Sequence, residues 1–190
     1  MAIVLASRSP RRQELLKKAG LAEYTVLVPD TEETCPDGLS PEETVVHIAR
    51  EKALAVRPLV SPDDLVIAAD TMVFLDGKAM GKPAGKADAL AMLTALQGRA
   101  HFVSTGVAVL HGDRLTAEAE TTKVFFREAS EEELRRYVAT GEPMDKAGAY
   151  GIQGLGSLFV EKIDGDFYNV MGLPIERLGR VLTRFGVKFF

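Results

Sequence analysis

A mixed-sheet fold of the α/β or α+β class is what this sequence predicts, on three observations. Apolar runs of strand length alternate with segments of helical periodicity, long β-branched runs enter hairpin turns, and serine helix caps precede the periodic stretches. A chain of 190 residues is long enough for one well-filled core, and no linker rich in Pro, Gly or Ser divides it, so a single domain is expected.

The elements follow in order. Ala2 to Ala6 is a short apolar run that reads as a strand, and Ser9 with Pro10 forms the cap and first residue of an amphipathic helix ending near Gly20. Tyr24 to Val28 reads as a short strand and Pro29 to Leu39 as an acidic loop. Ser40 and Glu43 make a capping box for a second helix, whose inward stripe is Val45, Ala49, Ala53 and Val56; Lys52 falls in the same stripe, where it either snorkels outward or reaches a buried anion. Leu65 to Leu75 is a nearly unbroken apolar run and reads as a central strand entering a hairpin at Asp76-Gly77. A helix over Lys86 to Gln97 stops at Gly98, and Val103 to Leu110 and Leu115 to Phe126 pair as a long hairpin over 111–113. Ser130 and Glu133 box a helix reaching Thr140, Gly141 to Gly156 is a glycine-dense loop, and the chain closes with a strand over Ser157 to Ile163 and a helix from Pro174 to about Phe185.

Composition narrows the function classes. With 23 basic and 27 acidic residues the formal net charge is −4, which argues against a nucleic-acid binder working through a broad basic surface. One cysteine, Cys35, leaves no intramolecular disulfide framework and fits a cytoplasmic chain, and neither a signal peptide nor an apolar run of membrane-spanning length is evident. No G-x-x-x-x-G-K-[ST] occurs, nor a G-x-G-x-x-G between strand and helix, and the three histidines sit beside no nucleophile motif.

Local chemistry concentrates at a few places. Ser7-Arg8-Ser9-Pro10-Arg11-Arg12 puts hydroxyls and arginines at a helix N-terminus, an anion-binding arrangement that is equally compatible with a solvated basic helix start. Asp70 interrupts the longest apolar run, where its carboxylate needs a cation, a metal or a hydrogen-bond network; a strand-end acid bonded to backbone amides is the plainer alternative. Glu32 or Glu33 can join Asp70 around a divalent ion or simply belong to a solvated turn. Gly81-Lys82-Pro83 is a rigid turn with one lysine, and Gln153 in the glycine loop can offer an amide to a base edge or lie exposed without a role.

Together these blocks carry a resemblance. Residues 7–16 (SRSPRRQELL), Glu32-Glu33, Ala49-Arg50-Glu51-Lys52-Ala53, Ala69-Asp70-Thr71, Gly81-Lys82-Pro83, residues 146–154 (KAGAYGIQG) and residues 165–174 (GDFYNVMGLP) resemble, in order and spacing, the Maf family of nucleotide pyrophosphatases over nearly the whole chain. The resemblance implies one domain over residues 1–190 with an elongated α/β structure, a mixed and strongly curved sheet and a cleft between two lobes, similar to inosine triphosphate pyrophosphatases. It implies hydrolysis of dTTP and UTP, and of modified pyrimidine nucleotides, between the α and β phosphates, with Asp70 as proton acceptor, Glu33 and Asp70 holding Mg²⁺ or Mn²⁺, and Ser7, Ser9, Arg11, Arg12, Lys52 and Lys82 binding substrate. Arg12, Thr71 and Gln153 match the branch acting on dTTP and UTP, and a homodimer is the family-level expectation. The rival from another class is a non-catalytic nucleotide-binding regulator, since the family has been linked to inhibition of septum formation; a nucleic-acid binder is disfavoured by charge.

Overall fold

The computed structural model describes residues 1–28, 36 and 38–189. Among these a mixed sheet of seven strands is formed by β1 (Ile3–Leu5), β2 (Thr25–Val26), β3 (Leu65–Leu75), β4 (Lys78–Met80), β5 (Ala100–His111), β6 (Arg114–Phe126) and β7 (Val160–Asp164). Its order is β2-β1-β3-β5-β6-β7, with β4 paired to β3 off that path. β1 runs parallel to β2 and β3, while β5, β6 and β7 continue antiparallel from β3. The helices are α1 (Pro10–Lys18), α2 (Pro41–Val56), α3 (Lys86–Leu96), α4 (Glu131–Ala139), α5 (Phe167–Met171) and α6 (Ile175–Thr183).

Local signals act where the sequence places them. Ser9 Oγ accepts from the backbone N–H of Arg12 with Pro10 as first residue of α1, and complete capping boxes start α2 at Ser40 and α4 at Ser130. Asp76 and Gly77 both adopt positive φ, as a type I′ turn between β3 and β4 demands. Two readings are corrected, and one helix goes unforeseen. The long hairpin turns over Gly112 and Asp113 alone, with His111 still paired to Arg114, so the strands run to the end of their hydrogen-bonded register. Ser157 to Phe159, read as the start of a strand, belongs to a 3-10 segment over Leu155–Phe159, and β7 begins at Val160, where pairing to Phe126 starts. The five-residue α5 has too few residues to show a periodicity; it is started by Asp166, whose carboxylate accepts from Tyr168 N–H. Most of the acidic loop, including Glu32, Glu33 and Cys35, lies outside the described residues.

The strand alternation sorts side chains onto two faces. Val66 and Ala68 of β3 join Val4, Ala6, Ala108, Leu110 and the α2 stripe of Ala49, Ala53 and Val56 in one apolar cluster. Leu65, Ile67, Ala69 and Val73 join the larger cluster, which takes in buried residues of α1, α3, α4 and α6. Continuing the alternation, Asp70 points toward α2 and Thr71 toward the opposite face. Gly106 of β5, opposite Asp70 in the register, is where α2 lies against the sheet: a Cβ built there would overlap the Val45 carbonyl of α2. Replacing Gly106 with alanine must push the helix backbone off the sheet, so the melting temperature is expected to fall by roughly 5–10 °C, the overpacking range for a chain of this size; calorimetry of Gly106→Ala checks this.

A titratable side chain is packed inside the larger face. His101 is buried, its Nε2 shares a 2.8 Å hydrogen bond with the Tyr150 hydroxyl, and Phe126 and Tyr150 meet its ring edge-on. Burial pushes its pKa down from 6.5 to about 4. The unfolded chain therefore takes up this proton near pH 6.5 while the folded chain resists it until about pH 4, and acid favours unfolding across that window. Denaturant titrations should show stability falling as pH drops below 6.5, with a slope approaching ~1.4 kcal/mol per pH unit, and His101→Gln should flatten that slope.

Candidate active site

A cleft of about 1130 Å³ opens where the edge of β3 is left uncovered. β5 follows one edge of β3 from Leu65 to Phe74, so β1 and β4 must share the other. β1 covers that edge only as far as Ile67, and β4 begins at Val73. Among the described residues Ala68 to Met72 thus form a gap in the sheet edge, and Asp70, Thr71 and Met72 line the cleft within it. Because the gap exposes the strand edge-on, Asp70 from one face and Thr71 from the other reach the same space. The chain leaving β1 supplies one wall, Ala6 to Arg12, with Lys52, Gly81-Lys82, residues 145–147 and 150–154, and Gly172 completing the lining.

Asp70 is 6% exposed, and its Oδ1 accepts from Lys52 Nζ at 2.7 Å, a pair that answers the question posed by the lysine in the α2 stripe. A buried pair of this kind is stabilised only when charge and hydrogen bonds are both matched. Half of the carboxylate is not: Asp70 Oδ2 is buried and has no hydrogen-bond partner among the described residues. A carboxylate oxygen left so is open to a proton, a water or a cation. Among the described residues no group of three His, Cys, Asp or Glu gathers around a metal-sized site. A single carboxylate nevertheless fits a magnesium-type ion that draws its other ligands from phosphates and water.

Among the described residues, three side-chain hydrogen bonds fix Arg12. Its Nε donates to Gly172 O at 2.8 Å, Nη1 to Ser7 Oγ at 3.1 Å and Nη2 to Thr71 Oγ1 at 3.0 Å. Thr71 Oγ1 lies 2.9 Å from Thr105 Oγ1, its register partner on β5, and Thr105 in turn donates to Asn169 O at 3.0 Å. Since Thr105 has one hydroxyl proton and gives it to Asn169, Thr71 must donate to Thr105 and accept from Arg12. The chain of hydroxyls therefore has one direction, and it ties the arginine to α5. Ser7 Oγ also accepts from Ser9 N–H at 3.2 Å, and Ser9 caps α1, so both hydroxyls shape the turn they stand on.

The glycine-dense loop forms the far wall. Gly148, at φ 66°, packs on Val73 and donates its N–H to Gly81 O at 3.1 Å, docking the loop beside β3. Ala149 holds a positive φ of 60° without being glycine while wholly buried, local strain of the sort found at functional loops. Glu142 pins the next turn: Oε1 accepts from Tyr137 OH at 2.9 Å and Gly156 N–H at 3.0 Å, and Oε2 from Leu155 N–H at 2.9 Å. Burial opposes its charge, but those backbone and phenol donors prevail and hold its carboxyl below the usual value. A Cβ on Gly154 would meet this carboxylate, and one on Gly156 the Tyr137 hydroxyl at 2.7 Å, so the loop is glycine-rich because it wraps a charged group closely. Asp145 stands between Lys146 Nζ at 2.6 Å and Arg11 Nη1 at 3.8 Å.

The Maf-like protein family matches residues 2–185. The chain belongs to the Maf family. It is 48% identical over 186 residues to a dTTP/UTP pyrophosphatase of Bacillus velezensis, covering 98% of this chain and 97% of the relative. It is also 48% identical over 186 residues to a dTTP/UTP pyrophosphatase of Pelotomaculum thermopropionicum, covering 97% of this chain and 96% of the relative. A solved structure of a HAM1 protein from Coxiella burnetii shares the fold, at a TM-score of 0.51 and 17% identity over 97% of this chain and 99% of that one.

In this Maf protein the fold brings Ser7, Ser9, Arg11, Arg12, Lys52, Asp70, Thr71, Lys82 and Gln153 to one cleft, from positions spread over 147 residues of sequence numbering, 7 to 153. Glu33 lies outside the described residues. Arg8 also lines the cleft, and sequence reasoning had not given it a role of its own. Thr105, Asn169, Gly172 and Glu142 were missed as well. A Thr facing Thr71 is visible only once the register of β3 and β5 is known, whereas Glu142 beside four glycines carried a weak signal, a charge that such a loop can envelop. Glu142→Gln puts an N–H against an N–H donor at one side of the pinned turn. Hydrogen exchange should then show the Leu155 and Gly156 amides opening about tenfold more readily, the equivalent of one weakened charge-assisted bond, with the sheet amides unchanged.

Proposed function

We propose that this Maf protein hydrolyses dTTP and UTP to the nucleoside monophosphate and pyrophosphate, the activity for which its relatives are named. The reading rests on one observation above all: a buried carboxylate, held at one oxygen by Lys52 and without a partner at the other among the described residues, inside a cleft lined by Arg8, Arg11, Arg12 and Lys82. A triphosphate brings about four negative charges, and these side chains would stabilise them together with the positive end of α1. Arg11 would exchange its 3.8 Å contact with Asp145 for phosphate oxygens.

Asp70 Oδ2 accepts the proton of a water that adds to the α phosphorus, and the bridging α–β oxygen leaves with pyrophosphate. Lys52, fixed on Oδ1, leaves Oδ2 as the oxygen available to take up that proton. Asp70, with Glu33, would hold Mg²⁺ or Mn²⁺. When bound, such an ion withdraws charge from the phosphate oxygens and lowers the pKa of a coordinated water. Arg12 and Thr71, locked to each other and to Gly172, and Gln153 on the opposite wall are the groups we assign to base and sugar selection.

Asp70→Asn keeps the shape of the side chain and removes its basic oxygen. Pyrophosphate release from dTTP and UTP should fall by about 10²- to 10⁴-fold, the usual contribution of a general base, with nucleotide binding retained by calorimetry. Near-native turnover by a folded Asp70→Asn protein overturns the mechanism. Binding without pyrophosphate release by the unsubstituted protein points instead to the nucleotide-binding regulator.

A further inference from the structure

Gln153 makes a contact that the proposed reaction does not account for. Its Nε2 lies 3.0 Å and 3.3 Å from the two carboxylate oxygens of Glu14, on the turn of α1 that follows Arg11 and Arg12. The two residues come from opposite walls of the cleft mouth, and only Gln153 lines the cleft itself. The backbone that carries Gln153 is well held. Gly154 N–H closes a turn on Gly151 O at 3.3 Å, the Ile152 side chain is buried, and Glu142 fixes the residues that follow.

A carboxylate accepts hydrogen bonds and donates none, so the amide end that faces Glu14 must be the NH₂ group. The amide carbonyl is then the end left for a ligand. Uracil and thymine carry an N–H donor at ring position 3, whereas cytosine carries a lone pair there and can offer its 4-amino hydrogen only from a shifted position. Resting on the nucleotide reading of the cleft given above, we infer that Glu14 is a positioning residue for base selection: by engaging the Gln153 NH₂ group, it presents an acceptor to the base and favours imide pyrimidines over cytosine. A polar site that leaves a lone pair facing a lone pair rejects the wrong base more strongly than a missing contact does.

Two variants test this. Glu14→Gln can either donate or accept, so it no longer dictates the amide's orientation. Glu14→Lys can only donate, so it draws the Gln153 carbonyl away and turns the NH₂ group to the base. With pyrophosphate release measured on UTP and CTP side by side, the ratio of kcat/KM for UTP over CTP should fall about tenfold in Glu14→Gln, the scale of one hydrogen bond. It should fall further in Glu14→Lys, with the change carried by KM rather than kcat. A ratio unchanged in both variants, an equal loss on both nucleotides, or an unsubstituted protein that does not prefer UTP to CTP overturns the inference while leaving the pyrophosphatase reading intact. An unsubstituted protein that releases pyrophosphate from neither UTP nor dTTP overturns both.

Discussion

The geometry of the cleft depends on how closely α2 can lie on the sheet. At Gly106 the strand offers no Cβ, and the helix backbone at Val45 occupies the space a side chain would need. That approach lets a lysine two turns further along α2 end 2.7 Å from a carboxylate in the neighbouring strand. A wider separation would leave Asp70 without its cation in an apolar wall, an arrangement that protein interiors do not tolerate. The alanines of the stripe, Ala49 and Ala53, serve the same end, since larger residues would lift the helix.

A second constraint comes from β1 being so short. Had that strand run on beside β3 past Leu5, the edge of Asp70 and Thr71 would be covered and the two faces of the sheet would stay separate. Instead, groups selected by different packing environments meet in one opening. Asp70 is held by the α2 face, and Arg12 by the other face, through Thr71, Thr105 and the backbone of α5. The glycine loop closes the arrangement by folding around Glu142 and docking on Val73.

Much of this was legible in the sequence, and what was legible was local. Ser9, Ser40 and Ser130 announce helix starts because a cap is a contact between residues three apart. Lys52 in an apolar stripe and Asp70 in an apolar run were each anomalous, and each resolves the other. The resemblance collected the cleft residues before their geometry was known. What stayed hidden depends on contacts distant in sequence: Gly172 O meeting Arg12, Thr105 meeting Thr71, and Glu14 meeting Gln153. α5 escaped because five residues carry too few turns for a pattern, and the 3-10 character of Ser157 to Phe159 because its apolar residues suit a strand as well.

The gap in the β3 edge bears also on strand pairing with other chains. An open strand edge is a template for strand addition by another chain, and proteins usually blunt it with charge, bulges or cover. Among the described residues the unpaired stretch is Ala68 to Met72, bounded at both ends by paired strands, and Arg8, Arg11 and Lys82 line the cleft it opens into. An incoming strand would have to be shorter than an average one and accept those cations beside it. This short opening, lined by cations, is therefore a poor template for strand addition by another chain.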